Sequence, residues 1–106
     1  MKDDDSIIET IKQKMGIKGA DLTGLDLSGV ELSGVVFEDV ILRKCNLSNA
    51  SLERVVFNGV KADGIIMDST RLNECLLQDS DFSQGSLKNA LFADCSFEKA
   101  NLFGSD

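Results

Sequence analysis

The sequence predicts an all-β fold in which short extended segments alternate with corners every five residues. Three observations predict it. A large apolar residue recurs at every fifth position, a smaller residue stands two positions before it, and Gly, Asn or Asp often stands two positions after it. An α-helix cannot place residues five apart on one face, and a flat strand requires a period of two. The pattern therefore favours a chain that turns at regular intervals around one apolar interior.

The two apolar series define the inside of this fold. The large series runs from Leu22 to Leu102 without a break in register, and fifteen of its seventeen positions hold Leu or Phe. The companion series runs from Ala20 to Ala100 and holds mostly small or β-branched residues. None of these 34 positions is charged, although 29 of the 106 residues are. Both series are therefore expected to point inward.

Turn-forming residues mark the corners. Gly, Asn and Asp adopt turn conformations at little cost, so a regular series of them predicts regular turns. The series consists of Gly24, Gly29, Gly34, Asp39, Asn49, Gly59, Gly64, Asp79, Asn89, Asp94 and Gly104. We expect the chain to turn at each of them.

The repeated units resemble the A(D/N)LXX consensus of pentapeptide repeat proteins. The resemblance is carried by units such as ADLTG at 20–24, NASLE at 49–53 and KANLF at 99–103. It extends over residues 20–104, with MGIKG at 15–19 as a degenerate leading unit. The resemblance implies a right-handed quadrilateral parallel β-helix with four units per coil, in which the two apolar series point inward and the other three positions point outward.

Four units per coil would stack residues that are twenty apart, and the sequence repeats at that distance. VVFE at 35–38 recurs as VVFN at 55–58. The seventeen units therefore predict about four coils with four outer faces. Faces one to four begin at residues 20, 25, 30 and 35 and continue every twenty residues. Their charges sum to 0, −1, −2 and −3, which predicts that the acidity leans toward faces three and four.

A short amphipathic α-helix is predicted before the repeats, from Ser6 to Met15. Ser6 and Glu9 form a capping box, and Gly16 marks the end. We expect this helix to cover the first coil, because an open coil end would expose its apolar interior. The resulting single domain has a capping helix over residues 1–16 and a β-helix over residues 17–106. The alternative is a helix that docks on a partner or a membrane.

The other end of the repeats predicts self-association. Only two residues follow the last unit, so the final coil is either exposed or covered by another copy of the chain. Phe82, Phe92 and Phe103 lie in or beside that coil. We expect them to form an end-to-end homodimer.

Face four predicts a contact surface. Val36, Val56 and Leu76 occupy an outward position where the consensus has Asp or Asn; we call them the face-four stripe. The acidic residues beside the stripe are Glu38, Asp39, Asp79 and Glu98, and we call them the acidic rim. One interpretation is a binding surface for a protein partner or a lateral homodimer. The other is that the stripe reflects the β-propensity of its residues.

The composition argues against catalysis and nucleic-acid binding. The chain has no His, Trp or Tyr, so it lacks a Ser-His or Cys-His pair, and eighteen acidic against eleven basic residues is the wrong balance for phosphate contacts. Asp63, Asp79 and Asp81 lack the loop spacing of a calcium motif. We expect no enzyme activity, no cofactor and no metal.

The compartment is predicted from the termini and the cysteines. An acidic amino terminus and the lack of a long apolar run predict a cytoplasmic protein without membrane association. Cys45, Cys75 and Cys95 have no paired spacing and occupy inward positions, so buried, reduced thiols are expected.

These observations predict a non-enzymatic interaction or structural module that presents an acidic, partly apolar face to a protein partner or to itself. The family resemblance adds an alternative. Some pentapeptide repeat proteins are acidic rods that mimic duplex DNA, bind DNA gyrase and protect it from quinolones. The net charge of −7 has the sign that mimicry requires, whereas the short shaft and the unbroken register, which leaves no long loops, argue against it.

Overall fold

The computed structural model of the protein describes residues 3–102 and 104–106. One α-helix, α1 (Asp3–Lys14), precedes a parallel β-helix with overall extents of 35 × 22 × 21 Å. Eight strands of three residues each lie within the described residues. They are β1 (Gly16–Lys18), β2 (Glu31–Ser33), β3 (Val36–Glu38), β4 (Ser51–Glu53), β5 (Val56–Asn58), β6 (Arg71–Asn73), β7 (Leu76–Gln78) and β8 (Leu91–Ala93).

Two of the four faces are continuous parallel sheets. Face four is the sheet β1-β3-β5-β7 and face three is the sheet β2-β4-β6-β8. Each strand pairs with the strand twenty residues later, as Val36 does with Val56. Faces one and two are joined by single bridges at the same spacing, such as Asp21 to Ile41. The predicted quadrilateral parallel β-helix of about four coils, with a short amino-terminal helix, is confirmed.

The corners all use the left-handed backbone conformation. From Gly19 to Gly104, all eighteen residues that stand two positions after a large inward position have φ between 48° and 78°. Seven of them are Gly, and the others include Lys44, Arg54 and Glu74. The corner prediction is confirmed, and it extends to side chains that ordinarily avoid positive φ.

The interior is a stack of the two inward series. Phe37 and Phe57 are buried in one column, and their rings stack with centroids 5.3 Å apart. Phe82 fills the next column beside the small Ala62, and its ring meets Phe57 edge-on at 5.6 Å. The small Ala62 therefore leaves room for the Phe82 ring, and the core is filled.

Polar side chains at the smaller inward position hydrogen-bond to the preceding coil. Each lies within hydrogen-bond distance of the carbonyl oxygen of the large inward residue 23 positions earlier. The donors and distances are Cys45 to Leu22 at 3.0 Å, Thr70 to Leu47 at 2.6 Å, Cys75 to Leu52 at 3.5 Å, Ser80 to Phe57 at 3.3 Å, Cys95 to Leu72 at 3.4 Å and Ser105 to Phe82 at 2.9 Å. The Ser80 hydroxyl is closer to the Gln78 carbonyl, at 2.8 Å. Because these donors are satisfied, Thr, Ser and Cys cost little at an inward position.

Helix α1 begins earlier than the sequence predicts. The structure has helix from Asp3, so the predicted start at Ser6 is wrong, and the Ser6 carbonyl accepts a hydrogen bond from the Thr10 hydroxyl at 3.1 Å inside the helix. Acidic residues favour a helix amino terminus, which explains why the aspartates at 3–5 are helical. The helix ends at Lys14, and Met15 rather than Gly16 takes the left-handed conformation after it.

The helix lies against the first coil. Ile11 is completely buried, and Ile7 and Ile8 pack against the same core. The Asp4 carboxylate accepts a hydrogen bond from the backbone amide of Asp26, in the first coil, at 3.2 Å. The division into a capping helix (1–16) and a β-helix (17–106) stays a prediction. It can be tested by measuring the free energy of unfolding of variants in the helix.

Candidate interaction surfaces

The structure brings the face-four stripe together as one column. Val36, Val56 and Leu76 pair in register on β3, β5 and β7, and all three point outward. Val36 is 40% exposed, Leu76 is 36% exposed and Val56 is half-buried. The column continues to Gly16 at one end and to Ser96 at the other. Three apolar side chains therefore form a continuous outer strip along the shaft.

The acidic rim lies on one side of this strip. Glu38 follows Val36 by two residues on the same strand and so points to the same side, and Asp39 and Asp79 are left-handed corner residues. Glu98 stands in the same position as Glu38 in the last coil. The ion pairs among the described residues are Arg43 with Asp63 at 2.9 Å and Arg54 with Glu74 at 3.9 Å, and neither includes a rim residue.

The distribution of charge needs one correction. Lys18 pairs in register with Glu38, so the unit at 15–19 belongs to face four. Face four then sums to −2, equal to face three, rather than to −3. The acidity still leans toward faces three and four, but face four is not the more acidic of the two.

A groove lies at the amino-terminal end of the stripe, between α1 and the sheet. It has a volume of about 500 Å³ and is lined by Thr10, Lys14, Gly16, Ile17, Lys18, Val36 and Glu38. Gly16 is one of the lining residues, and a Cβ there would lie 2.6 Å from the Val36 carbonyl oxygen, so a side chain fits only if the backbone shifts. The sequence analysis missed this groove. Gly16 was its only signal, and it was interpreted as a helix end.

Face three carries a second, more polar groove of about 470 Å³. Its lining includes Glu31, Glu53, Arg71 and Asn73, and the Asn73 amide donates to Glu53 at 3.5 Å. The outward column that corresponds to the stripe has mixed chemistry on this face. Its members are Glu31, Ser51, Arg71 and the exposed Leu91. Face three therefore offers polar contacts rather than an apolar strip.

The carboxy-terminal end is apolar, and the predicted dimer residues lie in different environments. Phe82 is only 1% exposed, because residues 100–102 lie over it, so it cannot touch a second copy at this end. Phe92 is half-buried and meets Phe97 edge-on at 5.0 Å. Phe103 lies outside the described residues. Sequence reasoning missed the end residues that are most exposed, which are Leu91, Phe97 and Leu102.

Two of the three candidate cation residues are engaged in other contacts. Asp63 pairs with Arg43, and Asp81 accepts the Ser83 amide at 2.9 Å, in a turn whose hydrogen bonds lower the pKa of Asp81. Within residues 3–102 and 104–106, no group of three or more candidate metal ligands comes together. The described helix is too short and too polar to cross a membrane.

The thiols are free, and two of them are buried. Burial raises the pKa of Cys45 to about 11 and also raises the pKa of Cys75. Cys95 is partly exposed near the carboxy-terminal end. The predicted burial of all three therefore holds for Cys45 and Cys75 but not for Cys95.

The fold and its outer columns define a quadrilateral β-solenoid, a class of protein whose side chains available for binding lie on its flat faces. The family model described as the pentapeptide repeat region matches residues 35–106, more than half of the chain. The chain belongs to the pentapeptide repeat family. No curated protein matches its sequence.

Solved structures of pentapeptide repeat proteins are similar in fold. HetL, which is involved in heterocyst differentiation regulation in the cyanobacterium Nostoc sp. strain PCC 7120, superimposes with a TM-score of 0.77 at 22% identity. The match covers 80% of this chain and 39% of HetL, so this chain spans about two fifths of HetL. At this identity the similarity shows the fold alone.

Two further matches have low TM-scores. Full-length QnrB1, a plasmid-mediated fluoroquinolone resistance protein, is 15% identical with a TM-score of 0.38, over 86% of this chain and 76% of QnrB1. Rfr23 from the cyanobacterium Cyanothece 51142 is 14% identical with a TM-score of 0.28, over 96% and 93% of the two chains. Scores this low do not bear on function.

Proposed function

We propose that the protein is a non-enzymatic interaction module that binds a protein partner through the face-four stripe and its acidic rim. The observation that carries this proposal is the in-register outward column of Val36, Val56 and Leu76, of which Val36 and Leu76 are exposed. An apolar column bordered by acidic side chains that make no ion pair among the described residues has the composition of a binding patch.

The alternative explanation, β-propensity, does not account for where the column lies. Face three has the same ladder of three-residue strands, yet the corresponding outward residues on β2, β4 and β6 are Glu31, Ser51 and Arg71. Leu76 is also not β-branched. Strand formation therefore does not require an apolar outward column, and binding gives a reason for one.

The test compares two substitutions at matched positions. Leu76→Asp alters the stripe, whereas Ile66→Asp alters face two at the same outward position and the same 36% exposure. We expect both variants to keep the far-ultraviolet circular dichroism of the parent. A partner captured from the native host should be lost with Leu76→Asp and retained with Ile66→Asp. Equal loss or equal retention in the two variants contradicts the proposal.

Self-association through the carboxy-terminal end is a second candidate. The observation that favours it is the exposed group of Leu91, Phe97 and Leu102, with Leu91 61% exposed. A dimer should appear in light scattering at roughly 50 µM protein, and Leu91→Lys should shift it to monomer. A monomeric mass for the parent protein at that concentration contradicts end-to-end dimerisation.

The gyrase alternative is supported by family membership and by the net charge of −7. No outer surface described above favours it specifically. Inhibition of DNA supercoiling at micromolar protein would support it, and full gyrase activity under the same conditions would remove it.

A further inference from the structure

We propose that the partner of face four is a basic amphipathic α-helix that lies along the shaft, with its carboxyl-terminal end at the groove beside Gly16. This inference rests on the proposed function, because it names the class of partner that the same surface binds. Spacing, backbone pairing, shape and charge each contribute to it.

The spacing of the stripe matches a helix better than an extended peptide. Adjacent strands of a sheet lie about 4.8 Å apart, so the two steps from Val36 to Leu76 span about 9.6 Å. Positions i and i+7 of a helix are about 10.5 Å apart, whereas positions i and i+4 of a strand are about 13.5 Å apart. A helix therefore keeps three apolar side chains within about 1 Å of the stripe, and a strand misses by about 4 Å.

Backbone pairing also disfavours an extended partner on this face. β3 and β5 each have a strand on both sides in the sheet β1-β3-β5-β7, so their amides and carbonyls are already paired. A peptide that lies over the stripe can therefore touch only side chains. An extended peptide would leave its own backbone groups without protein partners there, whereas a helix satisfies them internally.

The groove gives one end of the partner a defined place. Gly16 continues the stripe beyond Val36 without a side chain, and the proximity of the Val36 carbonyl means that a larger residue fits only if the backbone shifts. Ile17, Val36 and the stems of Lys14 and Lys18 surround a volume of about 500 Å³. This volume is large enough to receive a Leu, Met or Phe side chain from the last turn of the partner.

Charge sets both the composition and the direction of the helix. Asp39 and Asp79 of the rim lie at the corners that follow β3 and β7 and take part in neither ion pair, so they favour Lys or Arg on the facing flank of the partner. Lys14 and Lys18 outnumber the one acidic residue, Glu38, in the lining of the groove. They favour the negative, carboxyl-terminal end of the helix macrodipole at that position.

The probe is a synthetic peptide of about 14 residues, which spans about 21 Å as a helix. It carries Leu at helical spacing on one face, Lys on the flanks and Ala elsewhere, with a fluorescent label. One control peptide has the same composition with Leu at alternate positions, and the other has Glu in place of Lys. Anisotropy measures binding to the full chain.

We expect the basic helical peptide to bind with a dissociation constant on the order of 10 to 100 µM. Leu76→Asp should weaken binding by about tenfold or more, and Ile66→Asp by less than about twofold. A spin label at the carboxyl end of the peptide should broaden the resonances of Ile17 and Val36 more than those of Leu76.

The outcomes separate this inference from the proposed function. If Leu76→Asp abolishes capture of a host partner but the basic helix does not bind, the function stands and the inference is wrong. If neither control peptide differs from the probe, or if Leu76→Asp leaves peptide binding unchanged, the inference is also overturned. A parent dimer that Leu76→Asp converts to monomer assigns face four to a second copy and overturns it as well.

Discussion

Phe57 lies in register with Phe37 on the adjacent strand, with ring planes only 7° apart, and its other side meets the edge of Phe82. Three coils are thus joined through one side chain. Stacked and edge-on aromatic pairs add to the apolar area that each ring buries. The column that contains Phe57 is therefore expected to contribute strongly to the stability of the shaft.

Truncation of this ring should be costly. Phe57→Ala is expected to lower the free energy of unfolding by about 3–5 kcal/mol, measured by urea denaturation, because it leaves a cavity between two rings. Phe57→Asp should be more severe, since it also buries a charge. Phe97→Ala is the matched control, because Phe97 lies in the same column but is 36% exposed. Equal losses for Phe57→Ala and Phe97→Ala would contradict the assigned interior.

The buried hydroxyl of Thr70 is expected to stabilise the coil through its hydrogen bond to Leu47 at 2.6 Å. Thr70→Val keeps the shape of the side chain and removes the donor. The Leu47 carbonyl still accepts the Ala50 amide at 3.0 Å, so the loss should be only about 1 kcal/mol. A Val variant as stable as the parent in urea would show that this bond contributes nothing net.

The left-handed corners predict opposite effects for Gly and for other residues. Lys44 has φ of 58°, so Lys44→Gly is expected to raise the free energy of unfolding by roughly 0.5–1 kcal/mol. Gly24→Ala should lower it by about 1 kcal/mol through backbone strain alone, since nothing lies within 4 Å of the added Cβ. Thermal and urea unfolding measure the change in unfolding free energy for each variant. An unchanged unfolding free energy for Gly24→Ala would contradict the predicted strain at this corner.

Alkaline pH should destabilise the fold through Cys45. Burial raises its pKa from 9.0 to about 11, so the folded chain holds this proton more tightly than the unfolded chain. The stabilisation is complete below pH 9 and is lost as the pH rises through 11. The difference in unfolding free energy between the parent and Cys45→Ala should therefore shrink across that range. A constant difference would contradict the burial of the thiol.

The role of α1 is tested by its buried side chain. If the helix covers the first coil, Ile11→Ala should lower the free energy of unfolding by about 2–4 kcal/mol, because Ile11 is fully buried. Met15→Ala is the control, since Met15 is 51% exposed and should cost much less. An Ile11→Ala variant with unchanged stability would instead favour a helix that serves only to dock on a partner.

The shaft could be predicted from the sequence because its repeat is strict. Each five-residue unit has two inward positions, one corner position and fixed outward positions. Once the register of the repeat is known, the core, the corners and the faces follow together. The corners at Lys44, Arg54 and Glu74 show how strongly the repeat acts, because the left-handed conformation persists where the local residue disfavours it. Stacking on the neighbouring coils outweighs local propensity at these positions.

The ends could not be predicted as well, because no repeat constrains them. The start of α1 depends on how acidic residues interact with the helix terminus, and the groove depends on how α1 lies against β1. Phe82 was assigned to the end by its sequence position, but residues 100–102 extend beyond one full coil and cover it. The position of a repeat in the chain does not by itself identify the last exposed layer.

The twenty-residue coil has a consequence for how this protein can change in length. Duplication of residues 40–59 would add one coil and leave every face with its own chemistry, since each downstream residue returns to the same side. Insertion of one five-residue unit would keep the two inward positions inward, but it would rotate everything downstream by a quarter turn and place new residues above one another in the core. An insertion between Val36 and Leu76 would move the two residues out of line, and the strip would end there. Length is thus free to evolve in steps of twenty, whereas a step of five rewrites the outer surface.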